Sequence, residues 1–102
     1  MGIQQIRAGV EKAMRRSPHR ASVRRIALFG SQRTGKATSK SDVDLLVEFK
    51  PGAVRTLLDR GRIQMEFEKF FSRPVDLAEL RLVDNPLRRS EILAHHQEIY
   101  AA

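Results

Sequence analysis

Ser41-Asp42-Val43-Asp44-Leu45-Leu46-Val47-Glu48-Phe49 is the stretch on which the reading of the chain turns. Val43 to Phe49 is the strongest strand signal in the sequence, and Lys50-Pro51-Gly52 must break whatever precedes it. The period-two alternation of a strand sets Asp42, Asp44, Leu46 and Glu48 on one face and Val43, Leu45, Val47 and Phe49 on the other. Two carboxylates therefore point the same way where the strand begins. Asp is poor in strands, and like charges this close push up one pKa, so the arrangement costs stability unless a cation sits between them. Mg²⁺ suits that place, because it takes oxygen ligands and is usually held by one or two carboxylates plus substrate phosphates. Glu48 lies further along the same face and reads as a solvated charge.

Upstream, Val23 to Phe29 is β-branched and apolar except for Arg24 and Arg25, and it runs into Gly30-Ser31, so a second strand ends there in a turn. The turn is long, from Ser31 to about Ser41. Its first backbone N–H groups and the Ser31 hydroxyl are suited to cradle phosphate oxygens, because Gly30 permits close approach. Gly30-Ser31-Gln32-Arg33-Thr34-Gly35-Lys36 matches a P-loop up to its last position, where Ala37 replaces the Ser or Thr that holds Mg²⁺. A P-loop opens a helix, whereas this segment leads into a strand, so that reading is set aside.

Working outward, Ile3, Ile6, Val10 and Met14 recur at helical spacing and predict an amphipathic helix that ends before Pro18. A second helix is expected over residues 54 to 71. Its apolar positions include Val54, Leu57, Leu58, Met65, Phe67, Phe70 and Phe71, and Gly61 costs it about 1 kcal/mol relative to Ala. Pro74 to Leu77 predicts a short third strand. After Asn85-Pro86 a final helix is expected from Leu87 to about Tyr100. The expected order is αββαβα: a small α/β (α+β) unit, a mixed sheet with flanking helices, occupying residues 1 to 102 as one domain.

Composition narrows the function classes. In 102 residues there is room for one modest core. The chain is 41% hydrophobic and 30% charged, too apolar for a disordered tail. With no Cys, disulfides, thiol catalysis and Cys-ligated zinc are excluded, and a reducing, cytoplasmic setting is expected. No apolar run approaches the roughly 20 residues of a membrane helix, and Ile6 stands where a myristoylation signal needs Ser or Thr, so no membrane anchor is expected. The net charge of +7 draws polyanions without choosing among them. Arg15, Arg16, His19, Arg20, Arg24 and Arg25 form a basic cluster without aromatic residues for base stacking, which reads as a solvated or protein-contacting surface.

Ten residues separate Ser31 from Asp42. Gly-Ser, ten residues and Asp-x-Asp is the pattern of the polymerase β-type nucleotidyltransferases, and Leu28-Phe29-Gly30-Ser31 through Asp44-Leu45-Leu46-Val47-Glu48-Phe49 resembles the minimal nucleotidyltransferases of that superfamily. A lone Asp-x-Asp is usually a pair of surface acids; the Gly-Ser in register changes that reading. The resemblance implies a third acid at Asp76, within Arg73-Pro74-Val75-Asp76-Leu77, and extends to Glu91-Ile92-Leu93 through Ile99-Tyr100. It departs in the turn, where relatives often carry Arg at the positions of Gln32 and Thr34, and at His95, which aligns with an acidic position. His95 and His96 themselves read as surface or core-edge residues.

What the resemblance implies is nucleotidyl transfer from ATP. Asp42, Asp44 and Asp76 would be the catalytic and Mg²⁺-binding acids, Gly30 and Ser31 the binders of the terminal phosphates, and Arg33 and Lys36 possible auxiliaries. Minimal members are commonly antitoxins encoded beside a HEPN ribonuclease toxin, some of which they inactivate by adding AMP to a tyrosine, so a hetero-oligomer with such a toxin is the first functional expectation. A non-catalytic antitoxin acting by occlusion and a protein that binds nucleic acid or modifies RNA ends are the alternatives.

Overall fold

A computed structural model describes residues 2–30, 42–52, 57–79 and 82–102. Helix α1, Ile3–Arg16, buries Ile6, Val10, Ala13 and Met14, a stripe at helical spacing, and stops where Ser17 turns extended ahead of Pro18. A 3₁₀ turn at Arg20–Ser22 then feeds strand β1, Val23–Phe29. Strand β2, Val43–Phe49, lies antiparallel to β1. Helix α2, Leu57–Phe71, crosses over to strand β3, Val75–Glu79, which pairs parallel with β2. Helix α3, Pro86–Ala94, and strand β4, Gln97–Ala101, complete the chain. The four strands form one mixed sheet in the order β3-β2-β1-β4.

Strand alternation divides the core in two. On one face, Val23, Ile26, Leu28, Val43, Leu45, Val47, Val75, Leu77 and Ile99 pack under α1 and α2. In α2, Ile63, Phe67 and Phe71 supply the buried stripe, with the Phe67 and Phe71 rings stacked at 6.5 Å. Leu58 and Met65 of that helix are exposed, so its apolar residues are shared between the core and the surface. The other face carries a smaller cluster, Ala27, Phe29, Leu46 and Ala78, beneath α3, which contributes Ile92. The helix α2 also ties down the start of β3: Gln64 donates to the Val75 carbonyl at 2.9 Å, and the Val75 N–H donates to the Glu68 carboxylate at 3.0 Å.

The end of the chain corrects the expected order. The sequence reading carries one helix to Tyr100, but the helix stops at Ala94 and Gln97–Ala101 forms β4 on the free edge of β1. His96 Nδ1 donates to the carbonyls of Ile92 (3.0 Å) and Leu93 (3.1 Å), satisfying groups that the helix end leaves open. Pairing with β1 then supplies the ladder bonds of the last residues and buries Ile99 in the main core, which continuing the helix would not do.

Candidate active site

Because β1 is antiparallel to β2 while β3 is parallel to it, the exit of β1 and the entrances of β2 and β3 meet at one end of the sheet. Gly30, just past β1, Asp42, just before β2, and Asp44 and Asp76, the second residues of β2 and β3, are all gathered there. Asp44 is in register with Asp76 across the parallel pair and with Phe29 across the antiparallel one. Residues in register on neighbouring strands share a face, so both carboxylates stand on the α3 side with Leu46 and Ala78.

Gly30 has φ +73°, in the left-handed region, and a Cβ there would fall onto the Asp44 carboxylate. The glycine thus serves two purposes: it turns the chain out of β1 and leaves room for an acid. Asp44 is half-buried and its pKa is raised, first by burial, then by the charges of Asp76 and Asp42, against a lowering contribution from Arg88. Asp42 is exposed. Asp76, also exposed, is engaged by Arg88 Nη2, which donates to its Oδ2 at 3.3 Å.

Helix α3 presents that arginine. Asn85 caps its N-terminus, accepting from the N–H groups of Leu87 (2.9 Å) and Arg88 (3.2 Å) with Pro86 in the first turn, which fixes Arg88 over the strand ends. Between α3 and Gly30 lies an open pocket of about 590 Å³ lined by Phe29, Gly30, Leu87, Arg88, Glu91, Ile92 and His95. Arg88 also lines a second, smaller hollow with Asp76, Val83 and Asp84. No feature of the sequence alone marks Arg88, since its partner is set by how α3 sits on the sheet.

The donor set is suited to a hard divalent cation. Asp44 carries the electrostatic cost that a cation would offset, and two further carboxylates contribute to it. Among the described residues no three carboxylate or imidazole groups enclose a metal position by themselves. Glu48, on the same face but at the far end of β2, is instead bound by Arg25 at 2.6 Å and Arg24 at 3.4 Å. Ser31, Arg33 and Lys36 lie outside the described residues.

The nucleotidyltransferase domain model matches residues 8–99. The chain belongs to the nucleotidyltransferase-domain family. This nucleotidyltransferase is 35% identical over 71 residues to MJ0435 of Methanocaldococcus jannaschii, a candidate protein adenylyltransferase, covering 70% of this chain and 73% of the relative. Among solved structures, a candidate minimal nucleotidyltransferase superposes with a TM-score of 0.73 at 33% identity, covering 94% of each chain. A toxin–antitoxin structure with AMP-PNP gives 0.73 at 20% identity, covering 94% of this chain and 73% of the other. The complex of tri-AMPylated Shewanella oneidensis HEPN toxin with its MNT antitoxin gives 0.66 at 19% identity, covering 98% and 73%. The nucleotidyltransferase is of the minimal type, with the mixed sheet and flanking helices expected for it. None of its described helices is long and apolar enough to cross a membrane.

Proposed function

We propose that this minimal nucleotidyltransferase is a protein adenylyltransferase that transfers AMP from ATP to a tyrosine hydroxyl of a HEPN ribonuclease toxin and so acts as its antitoxin. The observation that carries the reading is the juxtaposition of Gly30, Asp44 and Asp76 at one end of the sheet, with the Asp44 carboxylate in the space a Cβ of residue 30 would fill. The relatives supply the reaction and the partner: protein adenylyltransferase is the activity for which MJ0435 is named, and an AMP-PNP complex and an AMPylated HEPN toxin with its MNT antitoxin share the fold.

In this reading Asp42 and Asp44 are the residues that would hold Mg²⁺. Bound there, Mg²⁺ supplies neutralisation of phosphate charge and alignment of the reacting groups. Gly30 and Ser31 bind the terminal phosphates, with Arg33 and Lys36 as auxiliaries from the same turn. The acceptor oxygen forms a bond to the α-phosphorus, the α–β phosphoanhydride bond breaks, and pyrophosphate leaves. Asp76 would take the acceptor's proton, or would help to hold a second cation while that proton passes to solvent.

The test is to incubate the purified protein with a HEPN toxin that it binds, ATP and Mg²⁺, and to read the toxin's intact mass and ribonuclease activity. Addition of AMP to a tyrosine with loss of ribonuclease activity supports the proposal. Neutralisation that survives Asp42→Asn/Asp44→Asn, without a mass change, identifies occlusion instead.

A further inference from the structure

We infer that Arg88 is an exchangeable nucleotide-binding residue, holding Asp76 while the site is empty and passing to the triphosphate when the metal-bound nucleotide enters. The inference rests on the proposed nucleotidyl transfer and adds a residue and an order of events to it.

Three observations converge. First, Arg88 Nη2 already sits 3.3 Å from Asp76 Oδ2, so a guanidinium is the counter-ion of an acid that the proposed chemistry needs for a cation or a proton. Second, the same side chain lines the pocket beside Gly30, the turn proposed to receive phosphates, as well as the hollow beside Asp76. Arg88 therefore borders both the hollow beside the acid and the pocket beside Gly30. Third, both partners of the pair are about half exposed, at 51% and 48% of their side-chain surface. An ion pair in such a setting is weak and readily exchanged.

The exchange follows from charge. Asp42, Asp44 and Asp76 would hold a divalent cation only with the guanidinium moved away, because like charges repel and both would claim the Asp76 carboxylate oxygens. The triphosphate that arrives with the cation offers the planar guanidinium a more highly charged, bidentate partner than a single carboxylate oxygen. The Asn85 cap keeps the base of the arm in place during the swing, because it holds the Arg88 backbone N–H at 3.2 Å. Arg88 thus lowers the affinity of the empty site for a bare cation and raises it for the cation with nucleotide, favouring their joint binding.

Opposite signs make the test. Mn²⁺ alone and AMP-PNP with Mg²⁺ are titrated calorimetrically into wild type, Arg88→Gln and Arg88→Lys. Arg88→Gln is expected to bind Mn²⁺ alone more tightly, by up to about fivefold, the scale of an exposed ion pair. The same variant is expected to bind AMP-PNP about tenfold or more weakly, the scale of a lost charge-assisted hydrogen bond. Arg88→Lys should fall between the two for AMP-PNP. A merely structural role would weaken both ligands together, and that result overturns the inference, as does unchanged AMP-PNP affinity. Wild type that binds neither probe overturns the underlying transfer reading and the role of Arg88 with it.

Discussion

Gly30 and Asp44 compete for one small space: the carboxylate of Asp44 occupies the position that a side chain at residue 30 would need. The glycine is also held at φ +73°, where an L side chain costs about 1–2 kcal/mol. Gly30→Ala is therefore expected to lower the thermal midpoint by roughly 4–8 °C for each kcal/mol lost. Because the added methyl also pushes the acid aside, AMP transfer should fall by about 100-fold, far more than the loss of stability explains. Melting curves and transfer rates on the same preparation check both parts.

Asp44 is expected to cost stability when no cation is bound. Burial, and then Asp76 and Asp42, raise its pKa above the ordinary value of 3.8. The folded state therefore holds this proton to higher pH than the unfolded chain does. Stability from this group falls as pH rises from the ordinary value through the raised one, and the deficit persists in full above it. Asp44→Asn is expected to melt higher than wild type at pH 7 without Mg²⁺, with the gap closing as pH falls below the ordinary carboxylate range. Mg²⁺ should raise the midpoint of wild type and leave the variant unmoved. A lower midpoint for Asp44→Asn at pH 7 would contradict the assignment.

Glu48 provides the control for the acids. It shares the β2 face with Asp44, yet Arg25 and Arg24 bind it 2.6 and 3.4 Å away, at the opposite end of the strand. Glu48→Gln is expected to cost less than about 1 kcal/mol and to leave transfer rates within about twofold of wild type. A large loss of transfer in a folded Glu48→Gln protein would place the chemistry elsewhere on this face.

The last strand is the part of the fold that tests packing. Ile99 is buried in the main core, so Ile99→Ala should cost about 2–5 kcal/mol in denaturant titrations. Leu87→Ala, in the largely exposed first turn of α3, should change stability by no more than about 0.5 kcal/mol. Equal effects would contradict the β4 assignment.

That strand was not legible beforehand, for a physical reason. Leu87, Ile92, Leu93 and Ile99 are compatible with one helical stripe, and no Gly or Pro stands between Ala94 and Tyr100 to punctuate it. What ends the helix is the open edge of β1 and the His96 ring on its last carbonyls, both tertiary. By contrast, β1 and β2 could be read because their apolar runs and stops are local. Period two places Asp44 on the face that strand alternation predicts, and register, which spacing cannot supply, sets Asp76 beside it. Arg88 was invisible for the same reason as β4: its pairing depends on where α3 is seated.

AMP transfer is read most simply from α-labelled ATP with Mg²⁺ in the native cell extract, following label into proteins and RNA for wild type and Asp42→Asn/Asp44→Asn. Label is expected on a protein band, lost by about 100-fold or more in the folded variant. Label confined to RNA, or no label that depends on these two acids, would contradict the proposed function.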